Sequence, residues 1–247
     1  MIKDKICYFN KNADKVEIKK GIVYVNNSLV KELGQGVDGI VYKYKDKAIK
    51  LYHDDMHIKL HLTKNEIDRL CNLYTERIIL PREVLINDNI ASGFIMNYID
   101  TTSQKDILLV DKKHLINKIK EIEDELILLG KNNFLLEDTK PENLFYNGNF
   151  YMFDPDSFIY EKNFDASKEN LKVFAWYFFR YIIFLLKPDI YHPEYLSCIR
   201  KINNLYKQGN YLLLSDFLEN NIEKNLIEFK LIEPSPKKAK TLHNKYF

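Results

Sequence analysis

Leu33-Gly34-Gln35-Gly36-Val37-Asp38-Gly39-Ile40-Val41-Tyr42-Lys43-Tyr44 is the stretch that decides how the first hundred residues fold. Its glycines at 34, 36 and 39 form a G-x-G-x-x-G, a pattern that fits two different folds. A dinucleotide-binding fold requires a helix after the third glycine. Here Ile40–Tyr44 is β-branched and aromatic and runs into Lys45-Asp46-Lys47, a turn sequence. The loop therefore joins two antiparallel strands. Glycines at such a tip let backbone N–H groups approach phosphate oxygens without side chains in the way, although a plain hairpin with flexible glycines carries the same letters.

Upstream, apolar and polar residues alternate over Ile6–Phe9, Val16–Ile18 and Ile22–Val25, the last stopping at Asn26-Asn27, and these segments read as strands. Downstream, the strand Lys47–Tyr52 puts Lys50 on the same face as Ala48, so a small residue and a cation share the space beneath the glycine loop. A helix predicted over about Leu60–Tyr74 places Ile67, Leu70, Cys71 and Tyr74 on an apolar stripe, with Glu66 at its margin. A buried lysine needs a carboxylate, and Glu66 is the candidate; a solvated helix acid is the other reading. His57 and His61 stand at i, i+4 without the glutamate of a zinc protease motif and are read as structural or exposed. Strands at Val84–Ile86 and Gly93–Tyr98 follow. Apolar character then stops at Ile99-Asp100-Thr101-Thr102, which marks a boundary between lobes.

Beyond that boundary the pattern is helical. Leu115, Ile116, Ile119, Ile122 and Leu126 recur at three- and four-residue spacing up to Gly130, the predicted C-cap. Next comes Asp138-Thr139-Lys140-Pro141-Glu142-Asn143, which sets a proton acceptor, a cation and a neutral oxygen ligand on one loop. Leu144–Tyr146 and Phe150–Phe153 enclose the turn Asn147-Gly148-Asn149, and this hairpin returns Asp154 to the neighbourhood of Asn143. Two oxygen ligands at the foot of a hairpin suit Mg²⁺, which completes its shell with water and phosphate oxygens. Such equipment serves phosphoryl transfer. Helices are predicted at about Lys168–Leu186, Pro193–Tyr206 and Tyr211–Asn221, followed by a polar, Pro-broken tail over 233–247.

With 247 residues, 46% of them hydrophobic, the chain can bury a core in one large domain or two lobes. Lysine and arginine number 37 against 35 acidic residues, and a net charge of +2 gives no electrostatic case for nucleic acid as the main ligand. Cys7, Cys71 and Cys198 are odd in number and widely spaced, so no disulfide framework or zinc site is expected and a reducing, cytoplasmic setting is the default, with export to a host cell left open. Met1-Ile2-Lys3-Asp4-Lys5 is charged where a secretory signal would be apolar. The most apolar run, Val173–Leu186, is interrupted by Arg180 and falls short of the roughly 20 residues a membrane span needs. Oligomeric state is not legible.

Taken together, the order and spacing of these parts resemble the protein kinase superfamily from Leu33 to about Leu186, in the form of a minimal, atypical bacterial-type Ser/Thr kinase. The resemblance implies an α+β, two-lobed fold. Its N-lobe over 1–99 is an antiparallel sheet with one helix, and its C-lobe over 100–232 is mainly helical. It implies ATP and Mg²⁺ as cofactors. By similarity, Gly34, Gly36 and Gly39 cover the ATP phosphates and Lys50, paired to Glu66, contacts them. Val41 and Ala48 pack on adenine, the segment Asn97–Ile99 after Met96 offers it backbone hydrogen bonds, and Met96, Asn97, Ile99 and Phe145 count among the cofactor-binding residues. Asp138 orients or deprotonates the acceptor hydroxyl, Lys140 neutralises charge on the moving group, and Asn143 with Asp154 holds the metal. The implied acceptor is a Ser or Thr hydroxyl of a protein.

Departures from the family pattern keep other readings open. His-Arg-Asp is Leu136-Glu137-Asp138 here, so the arginine that reads an activating phosphate is missing. Asp-Phe-Gly is Asp154-Pro155-Asp156, a stiffer metal loop in which Asp156 is either a further ligand or a local cap. Sixteen positions separate Asp154 from Asn170, which stands where an Asp usually opens the family's long buried helix, and no Ala-Pro-Glu lies between them. In this the chain is similar to aminoglycoside and choline kinases, which act on small hydroxylated molecules. A nucleotide-binding pseudokinase serving as a binding module is the third reading.

Overall fold

Alternation along the first third produces nine strands: β1 (Lys5–Phe9), β2 (Lys15–Lys19), β3 (Ile22–Val25), β4 (Ser28–Leu29), β5 (Lys31–Gln35), β6 (Gly39–Tyr44), β7 (Lys47–Tyr52), β8 (Pro81–Asn87) and β9 (Ile90–Asn97). They form one sheet in the order β4-β3-β2-β1-β8-β9-β7-β6-β5. Every pair is antiparallel. This is a computed structural model of the chain, and it describes residues 5–9, 15–19, 22–53, 62–87, 90–101, 107–137, 140, 143–153, 158–186, 193–224 and 226. The chain divides into two compact units, Met1–Thr102 with Phe153–Lys162, and Ser103–Met152 with Asn163–Phe247. The class is α+β, as the sequence predicts.

In the first unit one sheet face is the core. Val16, Ile18, Val23, Val25, Tyr42, Ile49, Leu51, Leu85 and Ile95 pack into a single buried cluster. Asn26 and Asn27 both adopt positive φ (49° and 65°), which lets β3 turn directly into β4, since this is the backbone a two-residue hairpin requires. Helix α1 is Lys64–Cys71, shorter at both ends than the sequence predicts. Thr63 and Glu66 form a capping box at its start, and Asn72 caps its end. Ile67, Leu70 and Cys71 are buried as expected, but Tyr74 lies past the helix and is 72% exposed. Instead of joining the stripe, its ring receives the Arg82 guanidinium at 5.6 Å, while that arginine donates to the carbonyls of Leu73 (3.0 Å) and Thr75 (2.8 Å).

The second unit begins with a 3-10 turn at Ile107–Leu109 and continues with α2 (Lys112–Lys131), β10 (Phe134–Leu136), β11 (Leu144–Tyr146) and β12 (Phe150–Met152). After β13 (Phe158–Tyr160), which belongs to the first unit, come α3 (Ser167–Leu186), α4 (Pro193–Gln208) and α5 (Leu214–Asn221). Gly130 is not the C-cap of α2. It is buried inside the helix where a Cβ would collide with the backbone of Ala166 and Ser167, so glycine there permits close approach to the start of α3. Asn132 caps the helix, and Asn133 at φ 68° reverses the chain. Phe178 on α3 meets Phe150 edge-on at 5.8 Å and Phe179 meets Phe217 at 5.5 Å, so α3 is the spine of this unit's aromatic core. Among the described residues no helix is long and apolar enough to cross a membrane.

Helix α5 starts three residues later than predicted, and its N-cap, Leu213, offers no side-chain acceptor. Glu123 of α2 supplies one. Buried at 2% exposure, its Oε1 accepts from the Ser215 N–H (3.1 Å) and its Oε2 from the Ser215 hydroxyl (2.5 Å). Burial pushes its carboxyl above the ordinary 4.5, against those hydrogen bonds. A folded-state value above the unfolded one means that this group's stability contribution is full below pH 4.5 and declines as pH rises toward the raised value. Glu123→Gln keeps an acceptor for Ser215 without a charge, so urea melts are expected to show it at least as stable as the parent at pH 7. Glu123→Ala strands two polar groups and is expected to lose about 1–3 kcal/mol.

Candidate functional site

The sheet face opposite the core cluster, also buried at Ala48, Phe94 and Met96, carries the nucleotide candidates of the first unit. Cross-strand partners share a face, and the register pairs Val41 with Lys50, Lys50 with Phe94 and Ala48 with Met96. Val41, Ala48, Lys50 and Met96 therefore lie together on one face, with Ile49, Leu51 and Ile95 turned to the core. Lys50 is 8% exposed, and its Nζ lies 5.9 Å from the ring centroids of both Tyr52 and Phe94. Asn97 alternates away from Met96 and is exposed, and Ile99 is half-buried. Between them, the Tyr98 N–H donates to the Asp46 carbonyl at 3.0 Å.

At the edge of that face β5 and β6 make the glycine hairpin. The Gly36 N–H donates to the Gly39 carbonyl at 2.8 Å, so the loop closes on itself and that donor is spent. His53, just past β7, pins it: its N–H donates to the Asp38 carbonyl (3.0 Å), and its ring Nε2 lies 3.3 Å from the Gly36 carbonyl. No periodic signal marks His53, the first of the polar run His53-Asp54-Asp55 after a strand. The three glycines have different reasons. A Cβ on Gly39 would strike the Leu51 carbonyl, so strand packing requires that glycine. Gly34 has nothing within 4 Å of a Cβ, Gly36 has only an ordinary contact at 4.0 Å, and neither has a positive φ. The fold does not need glycine at 34 or 36.

Lys50 and Glu66 are not brought into an ion pair. The Glu66 Oε2 accepts from the Thr63 N–H at 2.7 Å, so the carboxylate turns back along its own helix as a cap. Three residues separate Thr63 from Glu66, the spacing of a capping box, and this local signal competes with the pairing that the resemblance implies. Helix α1 is instead tied to the segment that follows Asp154-Pro155-Asp156 in the sequence: Arg69 donates to the Tyr160 hydroxyl at 2.6 Å and stacks on its ring at 5.1 Å.

In the second unit, the predicted hairpin forms as β11–β12, with Leu144 opposite Met152 and Phe145 opposite Tyr151. Gly148 takes φ 111° at its tip. Phe145 is buried, Lys140 is exposed, and the half-buried Asn143 donates its N–H to the Lys140 carbonyl at 2.9 Å. Asp138, Asp154 and Asp156 lie outside the described residues, as do His57, His61 and the tail over 233–247. Asn170 holds β10, the strand that ends two residues before Asp138 in the sequence. Fully buried at the start of α3, its Oδ1 accepts from the Leu136 N–H (2.7 Å), and its Nδ2 donates to the carbonyls of Leu126 (3.2 Å) and Phe134 (2.9 Å). One amide thus joins α2, β10 and α3.

The sequence matches no protein-family model and no curated protein. Among solved structures the chain is similar to the kinase domain of Mycobacterium tuberculosis PknI, at 15% identity over 64% of this chain and 72% of that one, with a TM-score of 0.44.

Proposed function

We propose that the chain is an ATP-dependent phosphotransferase that passes the γ-phosphoryl group to a Ser or Thr hydroxyl of a protein. The observation that carries this reading is the sheet face of the first unit. A buried lysine shares it with Val41, Ala48 and Met96, beside a hairpin whose Gly34 and Gly36 the fold does not require. Close approach of a ligand to bare backbone accounts for glycine at those two positions.

In this reading adenine packs against Val41, Ala48 and Met96. Lys50 neutralises phosphate charge, and Lys140 does so for the transferring group. Asp138 holds the acceptor hydroxyl and takes its proton as the new O–P bond forms and the bond from the γ-phosphorus to the bridging oxygen breaks, with ADP leaving. Asn143 and Asp154 offer the hard oxygen donors that Mg²⁺ prefers, and the ion when bound offsets charge on the β- and γ-oxygens. Phosphoryl transfer asks mainly for positioning and charge neutralisation, which these residue types supply.

Intact-mass measurement after incubation with Mg-ATP, with and without a cell lysate, tests the proposal. Added phosphate on the chain or on a lysate protein is the expected result; its absence from both overturns it. The capping role of Glu66 favours a second reading, a nucleotide-binding module without turnover, for which ATP binding with no transfer is the expected outcome.

The glycines give a separate check. Gly34→Ala and Gly36→Ala should weaken ATP binding by about tenfold while leaving the melting temperature unchanged or slightly raised. Gly39→Ala should lower the melting temperature. Dialysis with labelled ATP and thermal melts distinguish the two classes.

A further inference from the structure

Between α3 and α4 lies a groove of about 1020 Å³ that the nucleotide reading leaves unused. Trp176 and Tyr177 of α3 and Tyr211 of the turn after α4 give it aromatic walls. These walls are built rather than incidental. A Cβ at Gly209 would collide with the Tyr211 ring, Asn210 takes φ 54°, and the Tyr206 hydroxyl donates to the Leu212 carbonyl at 2.5 Å, so Tyr211 is folded back and held. On the other side the Arg180 guanidinium sits 4.5 Å from the Trp176 ring.

The groove's charge is basic. Lys168 and Lys172, one helical turn apart, and Lys207 of α4 line it, against the single acid Glu137. Lys172 is steadied by Glu169 at 2.9 Å. The cations are distributed over two helices and are all lysine, which acts as a point charge rather than as a bidentate fork. That arrangement suits carboxylates spaced along a chain. Glu137 is followed directly in sequence by Asp138, the residue to which the acceptor proton is assigned.

We infer that this groove docks an acidic segment, bearing aromatic side chains, of the protein that carries the acceptor hydroxyl. That the docked protein is the substrate rests on the phosphotransferase reading above. Aromatic anchors of the partner pack against Trp176, Tyr177 and Tyr211, and its carboxylates face the lysines. Only twelve residues lie between Asp154 and Ser167, where a peptide-docking segment would otherwise be supplied, and the groove takes over that task. The chain's own residues 227–247 are the wrong occupant by charge, since Lys230, Lys237, Lys238, Lys240 and Lys245 outnumber Glu228 and Glu233.

Trp176 is the single tryptophan of the chain, so its fluorescence reports on the groove. The test uses the full chain without ATP, titrated with a synthetic peptide alternating Glu and Phe. A saturable change in Trp176 emission is expected, with affinity falling about tenfold from low to near-molar salt. A similar loss is expected in the Lys168→Glu/Lys207→Glu double variant, whose thermal melt reports whether it folds; if it does not, the salt dependence and the milder Lys168→Ala/Lys207→Ala variant decide. No response to the acidic peptide, or an equal response to one with Lys in place of Glu, overturns the inference. Displacement of the peptide by inorganic phosphate would make this a small-anion site, and displacement by a peptide of residues 227–247 would make it a seat for the tail; either overturns it. Binding is read apart from transfer. Docking with no phosphoryl transfer removes only the phosphotransferase reading, and transfer without docking removes only the groove.

Discussion

Asp138→Asn is expected to cut phosphoryl transfer by about 10²–10⁴-fold while ATP affinity stays within about twofold, because the substitution removes a proton acceptor and a charge without changing shape. The phosphates are assigned to elements of the other unit, the glycine hairpin and Lys50, so the loss should fall on turnover rather than binding. Lys50→Met supplies the contrast. Lys50 is buried with its Nζ 5.9 Å from the ring centroids of both Tyr52 and Phe94, so methionine keeps an unbranched apolar side chain there and removes the cation. Both ATP affinity and transfer should then fall, affinity by about tenfold or more. Dialysis with labelled ATP and a radiolabel transfer assay on the same preparations separate the two outcomes. Equal loss of ATP binding in both variants, or full transfer by Asp138→Asn, would contradict the roles given to these residues.

What could be seen in the sequence was what short-range pattern controls. Period-two alternation located most of the sheet strands, β4 excepted, and the choice of a hairpin over a strand-to-helix turn after Gly39 followed from the β-branched and aromatic run Ile40–Tyr44, which the antiparallel pairing of β5 with β6 bears out. The hairpin Leu144–Met152 was legible because its turn sequence and apolar flanks agree. Errors arose where tertiary contact overrides local meaning. Gly130 looks like a helix stop, yet its absent side chain is needed for the approach of Ser167, 37 positions further on. Helix α5 lacks a local cap because Glu123, 92 positions away, provides it. Glu66 erred in the opposite sense: a distant pairing was expected, and the local Thr63 box holds the carboxylate. The groove was not visible at all, since its lining is brought together from α3, α4, the turn after α4 and Glu137 rather than from one stretch of sequence.

Asn170 sharpens the distinction between what the resemblance implies and what this chain does. The family's residue at this point is usually Asp, so by analogy Asn170→Asp would be harmless. The hydrogen-bond pattern predicts the reverse. The amide orientation is dictated by its neighbours, one N–H (Leu136) and two carbonyls (Leu126 and Phe134), and only a group with an acceptor on one side and two donor hydrogens on the other satisfies all three. An ionised Asp would set a negative oxygen against two carbonyl oxygens in a fully buried position. The expected cost is about 3–5 kcal/mol at pH 7. Protonation relieves part of it, since a neutral carboxyl can donate to one of the two carbonyls; the folded state then binds the proton more tightly than the unfolded chain, whose Asp titrates near about 3.9. The penalty should accordingly be smaller at pH 4 than at pH 7, whereas Asn170→Leu should be costly at both. Because Leu136 lies two residues before Asp138, folded Asn170→Asp should also lose transfer more than ATP binding. Denaturant melts at the two pH values decide the matter: a variant within about 1 kcal/mol of the parent at pH 7 would mean that Asn170 does not hold α2, β10 and α3 together as its bonds indicate.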